Sequence, residues 1–68
     1  MHKPMKVREM VGILRDAGFV LTRTNGSHRV FTQWANGQRG RSLVISAGDR
    51  ETIGVPIVRK ILRDAGIV

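Results

Sequence analysis

Sixty-eight residues with nine arginines, three lysines and five acids carry a net charge of +7 and a pI near 11.7, a balance that points to a polyanionic partner. There is no cysteine for a disulfide, and His2 and His28 lie too far apart for any zinc spacing, so neither metal nor cofactor is expected. No apolar run nears the roughly 18 residues of a membrane span and Met1-His2-Lys3-Pro4 lacks the apolar segment of a signal peptide, so a cytoplasmic location is expected.

A chain this short is expected to form one domain over 1–68, with 1–4 loose and His2 a passenger there. Chains of this size bury only about 60% of the surface their unfolded forms expose, so stability is marginal. The acids are Glu9, Asp16, Asp49, Glu51 and Asp64, and none falls between Ala17 and Gly48. Arg23, Arg29, Arg39 and Arg41 all do, around the one mid-chain histidine, which favours phosphate contact over a merely solvated face.

From Met5 or Lys6 the apolar residues Val7, Met10, Val11 and Leu14 recur at helical spacing and predict an amphipathic helix closed by Gly18. Gly12 inside it costs about 1 kcal/mol against alanine, which close packing or simple tolerance would explain. Phe19 to Thr24 alternates and reads as a strand, followed by an Asn25-Gly26 turn with both residues at positive φ. Ser27 to about Trp34 reads as a second strand, with Phe31 expected inward, His28 on the open face and a bulge near the turn allowed for. A second turn spans Ala35 to Gly40, and Arg41 to Ser46 reads as a third strand. Ala47 to Val55 has no periodicity and reads as a loop whose charged residues are solvated. Pro56 suits the first position of a last helix, striped by Val58, Ile61, Leu62 and Ala65 and closed by Gly66.

The expected fold is therefore α+β, in the order α-β-β-β-α, with two helices covering one face of a three-stranded antiparallel sheet. The other face is left open for the histidine and much of the arginine charge. Trp34 and Phe31 could stack bases but are commonly sheet cover or core, and Phe31 is read as core.

Gly26-Ser27-His28-Arg29 followed by Val30-Phe31, some eight residues after Ala17-Gly18-Phe19, together with Val58-Arg59-Lys60-Ile61-Leu62 and Ala65-Gly66, resembles the HicA-type mRNA interferase toxins. The resemblance runs from about Met5 to Ile67. It implies a fold like that of double-stranded-RNA-binding domains, cleavage of mRNA, and silencing by a HicB-type antitoxin that covers the catalytic histidine, which carries over onto His28. Many members have a second histidine after the third strand, where this chain has Ser46-Ala47-Gly48.

RNA carries its own nucleophile, so cleavage needs a base for the 2′-hydroxyl, a donor for the leaving 5′-oxygen and positive charge at the phosphate. Histidine suits the first two tasks, because both of its protonation states are accessible near neutral pH. The expected RNA contacts are Arg23, Asn25, Gly26, Ser27, Arg29 and Arg41, with Arg23 and Arg29 facing each other across the first turn. Two other readings stand beside this one. A non-catalytic RNA-binding module of the same fold would bind without His28 and cut nothing, and a basic docking protein for an acidic partner would bind RNA weakly even at low salt.

Overall fold

In the computed structural model, which describes residues 3–67, the first apolar stripe folds as helix α1 (Val7–Asp16) with Val7, Met10 and Leu14 wholly buried. His2 lies outside the described residues. The helix starts after Lys6, because Met5 and Lys6 are drawn into a short strand, β1 (Met5–Lys6), instead of a first helical turn. Glu9 then folds back, its carboxylate accepting the Lys6 amide at 3.3 Å, which suits the positive end of the helix dipole. Gly18, at φ +91°, ends the helical run in a conformation only glycine adopts freely. Its carbonyl accepts the Trp34 amide at 3.0 Å and ties the helix end to the sheet.

Strands β2 (Phe19–Asn25), β3 (His28–Ala35) and β4 (Gln38–Ile45) form an antiparallel sheet in that order. Both connections have two central residues, but they are not alike. Asn36 and Gly37 take φ 54° and 75°, the type I′ geometry that Asn-Gly favours, and this tight turn lets β4 begin at Gln38 and not at Arg41. The first turn differs from expectation. Asn25 pairs with His28, so its central residues are Gly26 and Ser27, and only Gly26 has positive φ, at 64°. That is the type II′ signature, which a glycine in the first central position supplies as readily as Asn-Gly supplies type I′.

Register follows from this turn and from a bulge. Leu21 pairs with Phe31, Arg23 pairs with Val30, and Thr22 is the extra residue between them. The simple alternation of β2 therefore breaks, and Arg23 joins the face of Val20 instead of the face of Leu21 and Phe19. On one face Phe19, Phe31, Leu43 and Ile45 are buried against α1 and the last helix. On the other lie His28, Val30, Thr32 and Trp34 of β3, with Val20 and Val44 beside them about half exposed. Thr32 is nevertheless buried, its hydroxyl 3.0 Å from that of Thr22 and 3.2 Å from that of Ser42, a polar ladder across all three strands.

The segment read as a loop holds a further strand, β5 (Thr52–Ile53), antiparallel to β1. The cause lies in α1, whose first amides have no partner within the helix. The Val7 amide donates to the Glu51 carbonyl at 2.9 Å and the Arg8 amide to that of Asp49 at 3.3 Å, which draws the segment alongside. Helix α2 (Val55–Asp64) begins one residue before Pro56, buries Val58, Ile61 and Leu62, and ends at Gly66 with φ 74°.

Leu14 sits fully inside the one core, so Leu14→Ala should cost about 2–5 kcal/mol in urea unfolding, enough to lose most folded protein in a chain of this size. Ile57→Ala, on the exposed side of α2, should change stability by no more than about 0.5 kcal/mol.

Candidate active site

His28 is the first residue of β3, delivered by the Gly26-Ser27 turn to the end of the sheet, where its ring is exposed. Its Nδ1 lies 2.8 Å from the Ser46 hydroxyl, just past the end of β4. Among the described residues nothing else hydrogen-bonds the ring, so Nε2 is left without a protein partner. In the tautomer whose Nδ1–H donates to Ser46 Oγ, Nε2 holds a free lone pair. Once Nε2 takes a proton, the same Nδ1–H still donates to the same oxygen. One hydroxyl thus holds the ring through both protonation states, which suits a group that must gain and lose a proton.

Arg29, the next residue, points to the helix-covered face. Its Nη1 donates to Asp49 Oδ1 at 2.7 Å and its Nη2 to the Ala47 carbonyl at 2.9 Å. Asp49 is therefore an ion-pair partner and not merely solvated. Together His28 and Arg29 grip the segment 46–49 from the two faces of the sheet. Arg23 and Arg29 do not face each other: Arg23 is opposite Val30 and Arg29 opposite Thr24, so the two guanidiniums leave opposite faces. Arg23 shares the open face with His28.

Asn25, Gly26 and Ser27 form the exposed rim beside His28, as their place in the turn dictates. Arg41 is elsewhere. It lies five residues before Ser46, about 16 Å along the strand, and its Nη1 donates to the Asp64 carbonyl at 3.4 Å, capping α2. Its guanidinium packs over Gly66, where a Cβ would come within 2.8 Å of Nε. Arg39 covers the half-exposed Trp34 ring, 5.9 Å from its centroid, at the far end of the open face. Among the described residues no three histidine or carboxylate side chains converge as a metal site would require. Among the described residues no helix is long and apolar enough to cross a membrane.

Ser46 is the residue that the sequence pattern hides. It follows the last residue of β4, and that position supplies the contact to His28. The Asn36-Gly37 turn could have signalled it, because folding β4 back antiparallel on β3 sets Arg29 opposite Ile45 and so the start of β3 beside the end of β4.

Three antiparallel strands backed by two helices, in the order α-β-β-β-α and with a basic, histidine-bearing open end, define an α+β protein with the layout of a double-stranded-RNA-binding domain. The family model of the HicA toxin of bacterial toxin-antitoxin systems matches residues 7–67. The chain belongs to that family and is the toxin of such a system, which implies an antitoxin partner. No curated protein and no solved structure matches it.

Ser46→Ala should leave the fold intact and release the His28 ring. Nitrogen-detected NMR of the imidazole should show a single tautomer in the unaltered protein and a mixture in the variant; identical spectra would mean that the Ser46 contact does not hold the ring.

Proposed function

We propose that this toxin is an mRNA-cleaving endoribonuclease acting in the cytoplasm, that His28 is its proton-transferring residue, and that a HicB-type antitoxin silences it. Membership of the HicA family supports RNA as substrate. The observation that carries the assignment to His28 is the hydrogen bond between Nδ1 and Ser46, which fixes the ring and leaves Nε2 without a protein partner beside a basic rim.

RNA lies with a phosphate against this rim. Nε2 of His28 takes the proton of the adjacent 2′-hydroxyl as that oxygen attacks phosphorus, and the imidazolium keeps its bond to Ser46. The bond from phosphorus to the 5′-oxygen breaks and that oxygen takes a proton from solvent, while the His28 imidazolium afterwards returns its own to solvent, leaving a 2′,3′-cyclic phosphate and a free 5′-hydroxyl. Arg23, on the same face, balances charge building on the phosphate oxygens, and amides and side chains of Asn25, Gly26 and Ser27 line the strand's path. Arg29 contributes mainly by holding the segment that carries Ser46. Arg41, exposed and some five residues along β4 from the site, contacts the RNA beyond the reacting phosphate. The chemistry draws on acid–base help and charge alone, so no metal is required.

His28→Ala should lower cleavage of a labelled single-stranded RNA by about 10²–10⁴-fold while circular dichroism stays unchanged. Activity should persist in EDTA and the products should end in cyclic phosphate. Products bearing 5′-phosphates, or full activity in the folded variant, would sink the mechanism. Binding without cleavage by the unaltered protein would return the chain to a non-catalytic RNA-binding module.

A further inference from the structure

On the side of the sheet away from His28, a cleft of about 300 Å³ opens between α1 and the edge formed by β2. Leu21 and Phe31 make its floor, and Arg8, Arg15 and Arg29 line its walls. Leu21 belongs to the helix-covered face, paired with the buried Phe31, and yet it is 50% exposed. The cause is Gly12. A Cβ built there would meet nothing within 4 Å, so this glycine is neither closely packed nor needed for its backbone. It weakens α1, and its effect is to leave the cleft open.

The charges around that apolar floor are unequal. Among the described residues Asp49 is the one carboxylate lining the cleft, and it is engaged by Arg29. Among the described residues neither Arg8 nor Arg15 is in an ion pair. They are seven residues apart, about 10 Å along the helix, too far to share one phosphate and suited to two. A volume at the low end of the range for small-ligand sites holds one flat apolar group, whereas a protein partner would need a far broader surface.

We propose that this cleft binds one nucleotide of the RNA strand, with its base against Leu21 and Phe31 and its flanking phosphates on Arg8 and Arg15. The inference rests on the ribonuclease reading and adds to it a site for substrate recognition outside the reacting phosphate. Arg29 follows His28 directly, and the end of the sheet is only the Gly26-Ser27 turn away. A strand cut at His28 rounds that turn to reach the cleft.

The test uses Gly12→Leu, which fills the cleft without altering charge and favours the helix, and the double variant Arg8→Ala/Arg15→Ala. Affinity for a short labelled single-stranded RNA is measured across a salt series, with cleavage kinetics alongside. Gly12→Leu should weaken binding about 5–100-fold and raise KM with kcat unchanged, leaving the salt dependence as it was. The double variant should flatten the slope of log K against log salt by about 0.7 for each lost phosphate contact. His28→Ala should do the reverse of Gly12→Leu, lowering kcat with little change in KM. If the unaltered toxin binds and cuts RNA while Gly12→Leu matches it, the cleft proposal is overturned and the ribonuclease reading stands. Loss of antitoxin affinity in Gly12→Leu with RNA affinity intact overturns it equally and gives the cleft to a protein. If the unaltered toxin neither binds nor cuts RNA, both fall.

Discussion

The placement of Phe31 in the core is the constraint on which the site depends. A strand has period two, so seating Phe31 among Leu14, Phe19 and Leu62 sends Val30 and His28 to opposite sides from Phe31 and Arg29. The type II′ turn at Gly26-Ser27 and the extra residue Thr22 both serve that register. Had Asn25 and Gly26 formed the turn centre with no bulge, the pairing of β2 with β3 would shift, and either Phe31 or the partner apolar residues would leave the core. Burial of one aromatic ring thus decides which face receives the histidine.

The segment from Ser46 to Glu51 joins the two helices' halves of the fold to the site. It supplies Ser46 to His28, the Ala47 carbonyl and Asp49 to Arg29, and the Asp49 and Glu51 carbonyls to the unpaired amides of α1. Its sequence has no periodicity because its partners are not repeated at a fixed spacing along one element. They are a ring nitrogen, a guanidinium and two helix-end amides. A backbone that answers to such scattered donors looks like a loop in sequence, even where β5 completes a ladder with β1.

What was legible in the sequence follows the same division. Both helices were readable, since Val7, Met10 and Leu14, and Val58, Ile61 and Leu62, stand at spacings that only a helix turns to one side. The order of elements, the inward Phe31 and the exposed His28 were readable too. The ends were not. Met5 and Lys6 continue the helical pattern and are pulled into β1 by residues nearly fifty positions away, and Gly-Ser competes with Asn-Gly for the first turn on nearly equal terms. In the site, the motif around His28 was visible as a string of residue types, whereas the role of Ser46 required knowing that the ends of β3 and β4 meet. The assignment of Arg23 and Arg29 to opposite faces required the bulge at Thr22, which leaves no mark in the pattern of Val20, Leu21 and Thr22.

The same distinction governs the charge. A run of the chain without acids suggested one continuous basic surface, but side chains are divided by face and by local partner. Arg29 is neutralised by Asp49 from outside the run, Arg41 meets the carbonyl end of α2, and Arg39 lies over Trp34. Of the four mid-chain arginines, Arg23 alone is left on the face of His28 with no such contact among the described residues. Meanwhile Arg8 and Arg15, which sit among the acids of the first helix in sequence, are in no ion pair among the described residues. Net charge favours an anionic partner; the pairing of individual guanidiniums decides which of them are free to meet it. The protein therefore presents positive charge on both faces of the sheet, Arg23 on the face of the histidine and Arg8 and Arg15 along the helix behind it.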